Sequence, residues 1–407
     1  MLATVVEERP SRGGRGAALR VVDQLRRAPE STRADVVART GLSRATVSAI
    51  VRDLERDGLL EVVAAAEPHG RTGRRPEVLR LTRRAGAVLG VDFGHEHVRV
   101  AVGDLAGRML AVRDRQVDVD RGMDEALAAA SALAAEVIAD AEVAQEEIVA
   151  CGAGVPGPVD RASGRIGTTM ILPGWSGTTL AVALEQHLGI PVVVENDANL
   201  GALGEHAVGV ARGVDDVIYV KVSSGVGAGL ISGGRLLHGG TGIAGEIGHV
   251  GVVPNGAPCR CGGRGCLETI VSAPAVRRQL HATAADELPD DLVAALGTAD
   301  PRVARLLADA GRALGRVLAN ACHLLDPAMI VLGGDPAFAT DPVLAGVREE
   351  LDRHRLPGAG SGVQLVPAAL GDQGQVVGAL RLAATRRDVR VPTLRENSNA
   401  PIGRGAP

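Results

Sequence analysis

Three of the five cysteines in this 407-residue chain fall within eight positions, in the stretch CRCGGRGCLE at residues 259–268. Cys259, Cys261 and Cys266, with His249 ten residues upstream of the first, supply four soft or borderline donors, the ligand set of a closed tetrahedral zinc site. Gly262, Gly263 and Gly265 let the backbone turn tightly around an ion. Four protein ligands leave no open position for a reactive water, so the expected Zn2+ is structural. A redox or catalytic thiol cluster is the competing reading. Cys151 and Cys322 stand alone in apolar surroundings and read as buried core residues.

A second group of polar side chains suits a ligand rich in hydroxyls. PVVVENDANLGALGEHAVG reads as a buried strand ending at Asn196-Asp197 and running into a helix, which presents both side chains at one strand terminus. There Asp197 can accept a proton from a sugar hydroxyl attacking a γ-phosphate; alternatively it caps the helix and binds nothing. AGEIGH adds Glu246 and His249, and Glu268 closes the cysteine stretch. Carboxylates, an amide and an imidazole can each donate to or accept from a different hydroxyl. His249 can serve both groups, one ring nitrogen on zinc and the other on the sugar.

Three glycine-bearing loops could approach phosphate or nucleobase. SSGVGAG follows a strand and offers Ser224, Gly225, Gly227 and Gly229 to an anion. VDFGHEH places Asp92 where it could approach magnesium and Gly94 where it could make room for a phosphate. MIVLGGDP puts Gly333 and Gly334 at a strand end, as the floor for a base or simply as a turn.

The elements that carry these residues fall into two parts. Residues 1–85 hold 17 Arg against 11 Asp plus Glu, a net of +6; the whole chain is at −4, so the remainder carries −10. A basic head on an acidic body suits a polyanion partner, although with Lys221 as the only lysine the arginine excess also fits a compositional bias. Within the head, GAALRVVDQLRR puts Leu19, Val22 and Leu25 on one helical face. Ser31-Thr32 can cap a second helix, TRADVVART, that stops at Gly41, and Ser43 can cap a third, RATVSAIVRDLERDG, with Val47, Ile50, Val51 and Leu54 inward. Strand, loop and strand follow, completing a winged helix-turn-helix. Its third helix would bring Arg44, Thr46 and Ser48 to bases and phosphates and Arg52 to phosphate, while Arg71, Arg74 and Arg75 arm the wing for a minor groove or the backbone.

The body reads as α/β. AVLGVDFG, HVRVAVGDL and MLAVRDRQVDV are three consecutive strands turning at Gly107-Arg108, followed by a helix at about 124–140 and a buried strand, IVACGAGVPGPVD. DVIYVKVSSGVGAGLI near residue 216 starts a second cycle, as expected of two similar lobes around a cleft. The expected divisions are a flexible segment 1–15, the winged head 16–84, a first lobe 85–211, a second lobe with the zinc loop 212–390, and a disordered tail 391–407. No apolar run reaches the roughly 18 residues of a membrane span, and MLATVVEERPSRGGRG lacks the apolar core of a signal peptide. The expected location is the cytoplasm, where clustered cysteines serve metals more often than disulfides.

The winged helix, GAGVPGPVD, LPGW, ENDAN, the run from SSGVGAG to GEIGH, CRCGGRGCLE and LLDPAMIVLGG together resemble the ROK family, named for its repressors, open reading frames and kinases, over nearly the whole chain. The resemblance implies a sugar-kinase-like body of two ribonuclease-H-like lobes, related to actin and hexokinase, with zinc on His249, Cys259, Cys261 and Cys266. It also implies sugar contacts from Asn196, Asp197, Glu246, His249 and Glu268, with Asp197 as base if phosphoryl transfer occurs. Family kinases read Asp-x-Gly-Gly-Thr in the first phosphate loop, whereas this chain has DFGHEH. Here His95 would crowd the backbone approach and Glu96 would repel phosphate. The preferred expectation is therefore a sugar-responsive regulator, a repressor of carbohydrate-metabolism genes. It would act as a homodimer or homotetramer on double-stranded operator DNA, with a sugar effector and no membrane partner. The alternatives are an ATP- and Mg2+-dependent sugar kinase that also binds DNA, and a docking body whose cleft is vestigial.

Overall fold

The computed structural model describes residues 14–64, 77–160, 163–167, 172–175, 179–284, 288–356 and 362–386. Residues 1–13, the expected tail and the arginines Arg71, Arg74 and Arg75 expected on the wing lie outside them.

The head comprises α1 (Gly14–Arg27), α2 (Arg33–Thr40), α3 (Arg44–Arg56) and an antiparallel pair, β1 (Leu60–Ala64) with β2 (Glu77–Leu81). Its boundaries follow from local chemistry. Thr32 and Asp35 form a reciprocal capping box at the start of α2, and Gly41 ends it with φ at +66°, a conformation that favours glycine. The Ser43 hydroxyl accepts from Thr46 N to start α3, whose buried residues are Val47, Ile50, Val51 and Leu54, as their spacing predicts. In α1 the buried face is Ala17, Val21, Val22 and Leu25, and Leu19 is only half-buried. The expected stripe is rotated because α1 is covered by the body as well as by its own head.

The body holds two five-stranded sheets of the same order. In the first, β3 (Ala87–Phe93), β4 (His97–Asp104) and β5 (Met109–Gln116) run as an antiparallel meander. Beyond α4 (Met123–Asp140), β6 (Ile148–Val155) pairs parallel to β3. After α5 (Leu180–Leu188), β7 (Val192–Asn196) pairs parallel to β6 and leads into α6 (Asp197–Ala207). The second repeats the plan with β8 (Val217–Val222), β9 (Val226–Ser232) and β10 (Arg235–Leu236). Next come α7 (Glu268–Val271), α8 (Ala273–Ala284), α9 (Leu292–Gly297) and α10 (Pro301–Leu325). β11 (Met329–Gly334), α11 (Asp341–His354), β12 (Gln364–Pro367) and α12 (Gly374–Ala384) complete the chain, with β11 parallel to β8 and to β12. The duplicated mixed sheets and the winged head are the α/β architecture the sequence pattern predicts.

Period-two alternation distributes each strand between two covers. Leu89, Val91 and Phe93 of β3 join the α4 core, whereas Val88, on the opposite face, meets Val376 and Leu380 of α12. A Cβ at Gly90 or Gly152 would lie 2.7 or 2.1 Å from a carbonyl oxygen of α12, so these strands approach that helix at backbone distance. Helix α12 thus packs on the first sheet although it follows the second in sequence. It also crosses α6 closely, since a Cβ at Gly378 would stand 1.9 Å from the Leu200 carbonyl oxygen. Its far end belongs to the core that includes the head, with Ala383 and Ala384 in one cluster with Val22 and Leu25. Cys151 is buried as expected, but Cys322 is only half-buried, because its turn of α10 lies near the exposed end of that helix. No described helix is long and apolar enough to cross a membrane.

Candidate functional site

The candidate metal ligands come together. One donor atom from each of His249, Cys259, Cys261 and Cys266 lies within 4.8 Å of every other. The Cys261 and Cys266 sulfurs are 3.7 Å apart, and Zn–S bonds of about 2.3 Å in a tetrahedron set that edge at about 3.8 Å. His249 Nδ1 stands 3.6 Å from the Cys259 sulfur, while Nε2 faces Glu246 Oε2 at 3.7 Å. One ring nitrogen therefore faces the thiols and the other a carboxylate. The soft donor set fits a metal such as zinc.

Between two of these cysteines, Arg260 points back into the body. It donates to the Ser224 carbonyl at 2.9 Å and pairs with Glu268 Oε1 at 2.9 Å; Glu268 Oε2 accepts from Val226 N at 3.1 Å. The cysteine loop is thereby tied to the SSGVGAG loop through one guanidinium. Both Glu268 oxygens are occupied within the protein, so this residue holds the loops together besides standing near the cleft.

The ENDAN segment divides its duties differently from the expectation. Asn196, rather than Asp197, caps α6: its side-chain oxygen accepts from Ala198 N and Asn199 N, and its amide donates to the Gly157 carbonyl at 3.0 Å. Asp197 is the first helical residue, with Oδ1 accepting from Ala198 N and Oδ2 bonded to Lys221 Nζ at 2.6 Å. Burial works against the Lys221 ammonium, but Asp197 and Asp92 outweigh it and hold its pKa above the usual lysine range. Burial, then the charges of Asp197 and Glu268, push Glu246 up to about 7. Glu195, unremarked in the sequence pattern, accepts from Asn199 Nδ2 and Asn196 N and meets His238 Nε2 at 2.7 Å. Burial opposes its charged form, yet these partners hold its carboxyl below the usual range. Glu195, Lys221, His238 and Arg260 are the polar residues of this region that sequence reasoning missed. Lys221 carried one signal, as the chain's sole lysine.

The phosphate-loop residues are closely packed. Gly227 backs onto Ala198, and Gly333 approaches the Tyr219 hydroxyl, where a Cβ would come within 2.5 Å. Gly334 lies against the Val222 backbone. The amide of Val226 is already taken by Glu268, and a Cβ on Gly225 would meet the same carboxylate at 2.9 Å. Asp92 is buried at the end of β3; burial opposes its charge, but His97, Lys221 and Arg99 hold its carboxyl below the usual range. A cavity of about 590 Å3 opens between the lobes, lined by His95, Glu96, Asp118, Asp120, Ser224 and Arg260 among others. Asn196, Asp197 and Glu246 are not on its lining.

In the head, Arg44 and Arg52 are exposed on α3, and among the described residues neither forms an ion pair. Ser48 is half-buried, and the Thr46 hydroxyl is bonded to Ser43 at 2.8 Å, which leaves it in the cap.

Comparison with known proteins follows the same division. The profile of the ROK family matches residues 88–386, and that of the MarR family matches residues 15–72. The xylose repressor of Bacillus subtilis is 27% identical over 362 residues, spanning 87% of this chain and 91% of its own. A solved ROK family transcriptional regulator, a homologue of the E. coli Mlc protein, superposes with a TM-score of 0.71 at 25% identity, over 91% of this chain and 95% of its own. A ROK family glucokinase from Streptomyces griseus, solved with glucose and AMPPNP, has a TM-score of 0.64 at 30% identity, over 74% of this chain and all of its own (100%).

Proposed function

This chain belongs to the ROK family, and we propose that it is a sugar-responsive transcriptional repressor whose cleft controls the fit of its winged heads to operator DNA. The observation that carries the reading is the path of α12. Helix α6 starts at Asp197 and crosses α12 at backbone distance, and Arg381 of α12 donates to the carbonyls of Arg26 and Arg27 at the end of α1. A ligand that shifts Asp197 therefore acts on an element bonded to the head. The Bacillus subtilis relative is a xylose repressor and the Mlc homologue a transcriptional regulator, which supports repression as the role.

In this reading Asp197, Glu246 and His249 meet the sugar hydroxyls, with Asn196 and Glu268 holding the strand end and the loop that present them. Zn2+ on His249, Cys259, Cys261 and Cys266 is structural and fixes the segment from Glu246 to Glu268. Arg44, Ser48 and Arg52 face DNA, with Thr46 keeping the start of α3 in place and Arg71, Arg74 and Arg75 on the wing. Two chains in a dimer, alone or within a tetramer, present paired heads whose separation must match half-sites about one DNA turn apart, so a small rotation weakens binding. The test is fluorescence anisotropy on DNA from upstream of the chain's own gene, at fixed salt, against a panel of sugars. Release by one sugar is the expected result; tight binding that no sugar alters, or no preference for that DNA, refutes the reading.

A further inference from the structure

The fold family admits a magnesium–nucleotide in the cleft between its lobes, and the residues of this chain do not fit one. In such a site a carboxylate at the end of β3 and another at the start of α6 would share a divalent cation and the phosphates it carries. Here a lysine is already paired with the second of them. Lys221, on β8, places its ammonium 2.6 Å from Asp197 Oδ2, and Asp92 stands near enough to raise its pKa further. Both Lys221 and Asp197 are nearly closed to solvent, and Asp92 is 2% exposed. The space over the first loop is filled as well. A Cβ at Gly94 would lie 2.2 Å from the His97 ring, so the imidazole occupies the room that glycine would leave for a phosphate, and its Nε2 meets Asp92 Oδ2 at 3.3 Å. His95 is held aside by Asp120 at 2.7 Å.

We infer that Lys221 is a built-in cation that takes the place of a divalent metal beside Asp197, making the cleft a receptor for an uncharged polyol that needs neither metal nor nucleotide. A second cation in the same space would be repelled at close range and in low dielectric. The ammonium has three donor hydrogens and spends one on Asp197. Beside the carboxylate it forms a donor and an acceptor side by side, able to receive and give one hydrogen bond to a single hydroxyl. Asp92 and Asp197 together outnumber the ammonium, which disfavours a phosphorylated or acidic sugar. The inference rests on the sugar-receptor reading for its ligand, but its metal arm stands without it.

The test uses the full chain and Mn2+ alone as the probe, with bound metal counted by electron paramagnetic resonance. The unaltered protein should bind no Mn2+ that Asp92→Asn removes. Lys221→Met, which keeps the apolar stem and removes the charge, should gain one site at least about tenfold tighter than any in the parent, from loss of the repelling charge, and Lys221→Met with Asp92→Asn should lose it. A parent site abolished by Asp92→Asn overturns the inference, as does a folded Lys221→Met protein that binds Mn2+ no better than the parent. If Lys221→Met does not fold, the comparison of the parent with Asp92→Asn decides by itself. DNA release by sugars is a separate readout, so failure of the repressor reading and failure of this one are distinguishable.

Discussion

Replacing Arg381 with methionine separates what α12 does for stability from what it does for signalling. The Arg381 guanidinium donates to two carbonyls at the end of α1, and among the described residues no carboxylate pairs with it. Burial pushes its pKa down to about 10, so it is still protonated at neutral pH. A depression of that size corresponds to roughly 3 kcal/mol of lost hydration. Two bonds from a charged donor more than offset this, at about 1.5–3 kcal/mol each net of hydration, less at the Arg27 carbonyl, where water competes. The negative end of the α1 dipole adds a few tenths of a kcal/mol more. The loss of these bonds outweighs the relief of burying the charge, so Arg381→Met should lower global stability by about 1–3 kcal/mol. Coupling should behave otherwise. If the sugar shifts DNA affinity through α12, a coupling typical of allosteric proteins, about 1–3 kcal/mol or roughly 5- to 150-fold in affinity, should collapse toward none. Denaturant melts measure the first quantity, and anisotropy on operator DNA with and without the releasing sugar measures the second. An Arg381→Met protein that folds and keeps the full sugar response would refute the argument that α12 carries the signal.

The other expectations are simpler to examine. Cys261→Ser removes one of four ligands, so metal analysis should find one zinc per chain in the parent and close to none in the variant; unchanged zinc would sink the ligand assignment. Arg44→Ala should cost about 1–3 kcal/mol of operator binding if the side chain reads a base, and unaltered affinity together with unaltered sequence preference would show that α3 is not the reader. Gly378→Ala forces a methyl to within 1.9 Å of the Leu200 carbonyl oxygen and should lower stability by about 1–3 kcal/mol or more. A thermal melt matching the parent would mean that α6 and α12 separate easily.

Where the determining interactions are local, the chain could be read directly. The candidate metal ligands span only 249–266, and their type and spacing suffice to nominate them. The capping residues Thr32 and Ser43 act within three positions, so the helix-turn-helix was equally legible. The cap of α6 was ambiguous because Asn196 and Asp197 are both good caps and adjacent. Which one turns inward depends on the Gly157 carbonyl and on Lys221, neither of which sequence proximity reveals. Leu19 was misplaced on the buried face of α1 for a related reason: a periodic pattern reports one covered side, and α1 has two.

By itself, then, the sequence determined the candidate metal donor set, the winged head, the duplicated α/β body and the family to which they belong, because each is written in short-range spacing and periodicity. Only the tertiary structure decided that Lys221 pairs with Asp197, that Arg260 ties the cysteine loop to Glu268, and that Arg381 grips a helix end 355 positions away. Those contacts join segments remote in the chain, and charge or burial at each end is settled only when the two sheets and the crossing of α6 with α12 bring them within reach.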